Sequence, residues 1–128
     1  DFPLRTIKAF GIRDAADVEA ALRYEGADVA LFDAGNPGAR GGTGRPFDWG
    51  LLHRRPRGPF LLAGGLGPEN VAEAVRAVRP WGVDFNSQVE RSPGEKDEGL
   101  VRRAVEAARR AGSEIASESE EEGSGGRG

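Results

Sequence analysis

The sequence predicts an α/β fold built from four βα units whose strands run parallel. Two observations carry this. Four short apolar runs recur along the chain, and their starts lie 22, 31 and 23 residues apart. Each spacing holds a loop, a helix and a return loop, whereas a hairpin would need only a few residues. The stretches between the runs place apolar residues at helical spacing.

The first run is Ile7-Lys8-Ala9-Phe10. Asp14 is a good N-cap for a helix over residues 15–24, where Val18, Ala21 and Leu22 form one stripe, and Gly26 reads as the glycine that stops it. The second run, Val29-Ala30-Leu31-Phe32, is apolar throughout, as expected of a strand covered on both faces. Residues 47–54 make a short amphipathic piece with Leu51 and Leu52. The third run is Phe60-Leu61-Leu62-Ala63, again wholly apolar. Pro68 then suits a first helical position, with Glu69 in the favourable first turn and Val71, Ala74, Val75 and Val78 on one face until Pro80. The fourth run, Val83-Asp84-Phe85, leads to a last helix starting at Asp97 or a neighbour. There Leu100, Val101, Ala104, Val105 and Ala108 face inward and Gly112 closes the element.

At 128 residues the chain has room for one domain. Its 20 glycines and 8 prolines make it rich in turns without reaching low complexity. It has no cysteine, which excludes a disulfide framework, a thiolate metal site and a cysteine nucleophile within these residues, and its one histidine, His53, forms no metal cluster and reads as solvated. No run approaches the roughly 18 apolar residues of a membrane span. The opening Asp1-Phe2-Pro3-Leu4-Arg5 is charged and broken by proline, unlike a signal peptide, and the lack of methionine reads as a processed chain or a fragment. Net charge is −3, and residues 113–128 hold five glutamates and one arginine, so the body is close to neutral. That balance does not suit nucleic acid. The expected organisation is a body over residues 1–112 and a disordered acidic Ser/Glu/Gly tail over 113–128.

In parallel α/β folds the loops after the strands carry the chemistry. Here they are Asp33-Ala34-Gly35 running on to Gly41-Gly42-Thr43-Gly44, then Gly64-Gly65-Leu66-Gly67-Pro68, then Asn86-Ser87-Gln88-Val89-Glu90. Glycines between a strand and a helix leave amides free for an anion, so Gly64 to Gly67 fit a phosphate cradle, though also a plain connector. Gly41-Gly42-Thr43-Gly44 lacks the Gly-Lys-Ser/Thr ending of a P-loop. Asp33 ends an apolar strand, where desolvation would raise its pKa as a general acid requires. From position alone it serves equally as a loop-bracing aspartate. Asp84 competes for the acid role, yet fits better as a buried structural carboxylate. Glu90 and Lys96 flank a Ser92-Pro93-Gly94 turn and would order the last loop. Trp49 and Trp81 read as core or ring-packing residues.

Five stretches together resemble phosphoribosylanthranilate isomerase, a (βα)8-barrel family of tryptophan biosynthesis. They are Ile7-Lys8-Ala9-Phe10; Ala30-Leu31-Phe32-Asp33-Ala34; Gly41-Gly42-Thr43-Gly44-Arg45-Pro46-Phe47-Asp48-Trp49; Leu62-Ala63-Gly64-Gly65-Leu66-Gly67-Pro68-Glu69-Asn70-Val71; and Gly82-Val83-Asp84-Phe85-Asn86-Ser87-Gln88-Val89-Glu90 with Pro93-Gly94-Glu95-Lys96-Asp97. The resemblance implies a partial TIM barrel, strands five to eight. It also implies an Amadori rearrangement of N-(5-phosphoribosyl)anthranilate with no cofactor and no metal, in the cytoplasm. On the family pattern Asp33 matches the general acid. The backbone of Gly64 and Gly65 and the loop Asn86, Ser87 and Gln88 match the phosphate-binding corner.

Two departures stand out. The family's base is a cysteine in a Lys-Ile-Cys-Gly strand, and this chain has neither. The family also commonly has glycine where Gln88 stands, and a glutamine obstructs close backbone approach if the position needs φ > 0. The expected partners are the phosphorylated sugar-anthranilate substrate and either the absent N-terminal half-barrel or a second copy, with no membrane and no nucleic acid. The chain alone is expected to be close to inactive. Two rival readings are another phosphate-binding barrel enzyme, such as an epimerase or indole-glycerol-phosphate synthase, and a non-catalytic half-barrel scaffold or interaction module.

Overall fold

Four parallel strands, β1 (Ile7–Gly11), β2 (Val29–Asp33), β3 (Phe60–Ala63) and β4 (Gly82–Val83), form one sheet in the order of the chain. The computed structural model describes residues 4–35, 49–53 and 58–125, without the side chains of His53, Ser87 and residues 119–125. The Gly41-Gly42-Thr43-Gly44 stretch therefore lies outside the described residues. Strands that follow one another without reversal, each reached by a crossover, are the arrangement of a singly wound barrel rather than a doubly wound sheet. β1 and β4 are its two edges.

Register puts two rows of side chains on opposite faces. Phe10, Phe32, Leu62 and Val83 are cross-strand partners along one row, and Ala9, Leu31, Leu61 and Gly82 along the other. The first row meets the helices, packing with Val18, Ala21, Leu52, Ala74 and Val78 in the main core. Phe10, Phe32 and Phe60 stack through tilted rings 6.3 and 5.7 Å apart. The second row is not sealed: Ile7 is 59% exposed, Ala9 is exposed, and Leu31 and Leu61 are half-buried. The expectation that these strands are covered on both faces is thus met on the helix side only, because no described element lies over the other.

Helix α1 (Ala15–Arg23) starts at Asp14, whose carboxylate accepts from the Asp17 amide at 3.1 Å. It stops at Tyr24, in extended backbone, before Gly26. A Cβ on Gly26 would come within 2.9 Å of the Tyr24 hydroxyl, the far end of a half-exposed side chain. A 3-10 turn spans Trp49–His53, inside the amphipathic piece, and Leu52 is buried beneath it. Helix α2 (Val71–Val78) begins three residues after Pro68, because Pro68 to Asn70 form a turn instead. It ends at Arg79, a left-handed cap with φ 54° whose amide bonds Val75 O at 2.8 Å, and Pro80 follows where the helix cannot continue.

The last strand is shorter than the sequence suggests: Asp84 lies just beyond β4, though its amide still bonds Leu62 O at 2.9 Å. Trp81, expected to be packed, is 74% exposed at the edge where β4 begins. After Phe85 and Asn86 come a 3-10 turn (Ser87–Val89) and an antiparallel hairpin of β5 (Glu90–Ser92) and β6 (Glu95–Lys96), which sequence patterning did not separate from a loop.

Helix α3 (Glu98–Gly125) runs into the stretch expected to be a tail. Asp97 caps it through the Leu100 amide at 3.0 Å, as anticipated, but it does not close at Gly112. Ala111 is buried against Val71 and Val75, and Ile115 packs on the same cluster. Arg76 of α2 and its cap residue Arg79 reach Glu114 and Glu118 at 3.1 and 3.5 Å. Docking to α2 supplies the tertiary support that composition alone does not reveal.

Candidate active site

The carboxyl ends of β2, β3 and β4 converge on a cleft of about 200 Å³ lined by Asp33, Gly35, Ala63, Gly64, Gly65, Asp84 and Asn86. Each group arrives there for a local reason. Asp33 is the last residue of β2, and its Oδ1 accepts the Gly35 amide at 2.8 Å, which turns the chain away from the sheet. The Ala34 amide bonds Ala63 O at 2.9 Å and so carries the ladder one step past the strand.

Gly64 and Gly65 follow with φ of +99° and +64°. Only glycine adopts two such conformations in succession without strain. Space is as tight as the torsion: a Cβ on Gly64 would lie 2.5 Å from Gly35 N and 2.6 Å from Asp33 Oδ1. The Asp33 carboxylate and the glycine turn are therefore in near contact. Successive backbone amides at a turn can form a concavity for an anionic group.

Asn70 holds this turn in shape. Its Oδ1 accepts the Gly67 amide at 2.9 Å and its Nδ2 donates to Gly65 O at 2.8 Å. Sequence reading did not single out this residue. The signal was an asparagine placed between a glycine loop and the first turn of a helix, a position from which its amide reaches both.

Of the expected phosphate-corner residues, Gly64, Gly65 and Asn86 line the cleft beside Asp33. Gln88 opens instead on a neighbouring cleft of about 130 Å³, shared with Gly65, Gly67 and Arg103. Ser87 lies between Asn86 and Gln88 in the 3-10 turn, and only its backbone is described. Gln88 does not have positive φ, because among the described residues Arg79 is the one non-glycine in that region. The glutamine is accommodated by Gly67, where a Cβ would sit 2.8 Å from Gln88 Cβ.

Two expectations about carboxylates need correction. Asp33 is exposed rather than flanked by low-dielectric walls, because the open row of the sheet beside it carries no cover among the described residues. Asp84 is exposed too, not a buried structural carboxylate. Ending β4 at Val83 frees it from the strand and sets it on the cleft with Asp33. A rim with two carboxylates and a glycine turn can deliver a proton to a polar substrate and grip its anionic end. No described helix is long and apolar enough to cross a membrane.

The N-(5'-phosphoribosyl)anthranilate (PRA) isomerase family model matches residues 2–107. The isomerase of Stenotrophomonas maltophilia strain K279a is 48% identical over 113 residues, covering 86% of this chain and 52% of that protein. The Rubrobacter xylanophilus isomerase is 47% identical over 107 residues, covering 83% and 52%. Among solved structures, phosphoribosyl anthranilate isomerase from Thermotoga maritima superposes with a TM-score of 0.69 at 40% identity, covering 80% of this chain and 50% of that one. A second, an isomerase in complex with reduced 1-(o-carboxyphenylamino)-1-deoxyribulose 5-phosphate, gives 0.65 at 37% identity, covering 80% and 47%. The chain spans about half the length of the curated relatives it matches.

Proposed function

Since the chain belongs to the N-(5'-phosphoribosyl)anthranilate isomerase family, we propose that it supplies the acid and phosphate-binding half of an isomerase site completed by further strands. The observation that carries this reading is the near contact of the Asp33 carboxyl with the Gly64-Gly65 turn at one end of the sheet. In the reaction proposed, Asp33 gives its proton to the furanose ring oxygen of N-(5-phosphoribosyl)anthranilate. The C1–O bond breaks as the anilino nitrogen lone pair forms a Schiff base. A base then takes the C2 proton, and the resulting enolamine tautomerises to the 1-deoxyribulose phosphate.

The turn at Gly64 and Gly65, with the loop Asn86, Ser87 and Gln88, would hold the 5-phosphate away from the reacting carbons. Fixing the remote end limits the open-chain intermediate to productive orientations. Asp84 lines the same cleft and would meet a sugar hydroxyl. The chemistry uses proton transfers alone, and the setting proposed is the cytoplasm.

The base proposed is a cysteine on a further strand, since this chain has none. The open row Ile7, Ala9, Leu31, Leu61 and the two edges left unpaired among the described residues suit four more parallel strands, which would close a barrel and cover Asp33. Those strands would come from an N-terminal half-barrel; a second copy would cover the same face without supplying the cysteine.

The test combines this chain with the N-terminal four βα units of the Stenotrophomonas maltophilia relative and follows loss of the anthranilate substrate. Turnover is expected, and Asp33→Asn should lower kcat by about 10²- to 10⁴-fold. A reconstituted Asp33→Asn variant with unchanged kcat would show that another group is the acid. The scaffold reading is favoured by the lack of a cysteine base in this chain and predicts no turnover in any combination.

A further inference from the structure

We infer that the Glu90–Lys96 hairpin is a clasp that fixes the Asn86–Val89 loop, with Lys96 the positioning residue for phosphate binding; the inference rests on the isomerase reading above. The contacts form a closed circuit. The Lys96 ammonium donates to Asn86 O at 3.2 Å and to Asn86 Oδ1 at 3.0 Å. On its other side it lies 3.4 Å from Glu90 Oε1. The second Glu90 oxygen accepts the Gly94 amide at 2.6 Å, which pins the tip of the hairpin. Gly94 makes this turn with φ +81°.

The backbone repeats the tie. The Asp97 amide donates to Val89 O at 2.8 Å, and the Val89 amide donates to Asn86 O at 3.2 Å. Val89 itself is buried at 2% exposure and anchors the loop from below. The loop's first residue thus has its carbonyl and its side-chain oxygen both held by one ammonium, while its last residue is held by the backbone and the core.

Burial separates this from an ordinary surface pair. The Glu90 side chain is only 12% exposed, whereas Lys96 is 49% exposed. A carboxylate so enclosed needs a cation or several amides, and it has Lys96 and Gly94. The cation is therefore held in place by Glu90 and is stationed directly behind Asn86, which lines the cleft with Gly64 and Gly65. Lys96 gives the loop its shape and brings a positive charge onto Asn86, a residue of the loop proposed to hold the phosphate.

Removing Nζ should loosen the loop where the phosphate is gripped, remote from the reacting carbons. The signature is a change in KM with little change in kcat. In the completed barrel, Lys96→Met is expected to raise KM about tenfold, and the inhibition constant of inorganic phosphate by the same factor, with kcat within about twofold. Lys96→Arg keeps a donor pair for Asn86 and should recover most of the loss. Unaltered KM and phosphate inhibition in Lys96→Met would overturn the inference. If the unsubstituted barrel shows no turnover, the isomerase reading fails instead. Hydrogen exchange on the full chain alone still decides the clasp: amides 87–89 should exchange faster in Lys96→Met, and equal rates would overturn it.

Discussion

Replacing Gly64 with alanine tests the contact on which the proposed site depends. Two penalties are separable. The first is torsional: at φ +99° a side chain costs roughly 1–2 kcal/mol. The second is steric, because the new Cβ would meet Gly35 N at 2.5 Å, Asp33 Oδ1 at 2.6 Å and Ala34 N at 2.7 Å. Two of these are backbone atoms engaged elsewhere. Gly35 N donates to Asp33 and Ala34 N to Ala63 O, so moving them breaks a charge-assisted and a neutral hydrogen bond. Those losses add about 2–4 kcal/mol, for a total near 3–6 kcal/mol. Gly94→Ala is the matched control, with φ +81° and nothing within 4 Å of its Cβ, and should cost about 1–2 kcal/mol. Urea unfolding of the full chain at fixed protein concentration, read by tryptophan fluorescence and by circular dichroism, gives both values. Should Gly64→Ala prove no more destabilising than Gly94→Ala, the near contact between Asp33 and the glycine turn is not what holds this rim. In the completed barrel the same variant should lose turnover, since Asp33 must move to admit the methyl group.

Two further outcomes follow from the helices. The Arg13 amide and guanidinium beside Asp17 hold its carboxyl below the ordinary value of 3.8, so its contribution to stability is present above that pH and lost as pH falls through the lower folded value. An NMR titration should show the depressed midpoint, and Asp17→Asn should flatten the acid limb of the stability curve; an ordinary midpoint would refute this. Ile115→Ala removes a partly buried contact with the α2 cluster and should cost about 1 kcal/mol. Helix beyond Gly112 should then lose exchange protection while residues 98–108 keep theirs, and uniform protection would show that the extension stands without docking.

Local and periodic features were legible in the residues alone. Strand spacing, the Asp14 and Asp97 caps and the stripes of α1 and α2 follow from patterns a few residues long, and each appears where expected. So do the glycines at the rim, since positive φ and close approach leave no other residue type at Gly64. What the residues in order could not convey depends on neighbours far along the chain. Helix α3 passes Gly112 because α2 offers it Val71, Val75 and two arginines some forty positions away. Asp84 reaches the cleft because pairing with β3 ends at Val83, and Lys96 finds Asn86 only once the hairpin has closed. Exposure is set by which elements meet in the folded chain. An apolar strand reads the same whether one face or both are covered, and the solvent around Asp33 is decided by which element lies over the sheet. The intrinsic conformational preferences belong to the sequence, whereas burial and long-range contacts exist only after the chain has folded.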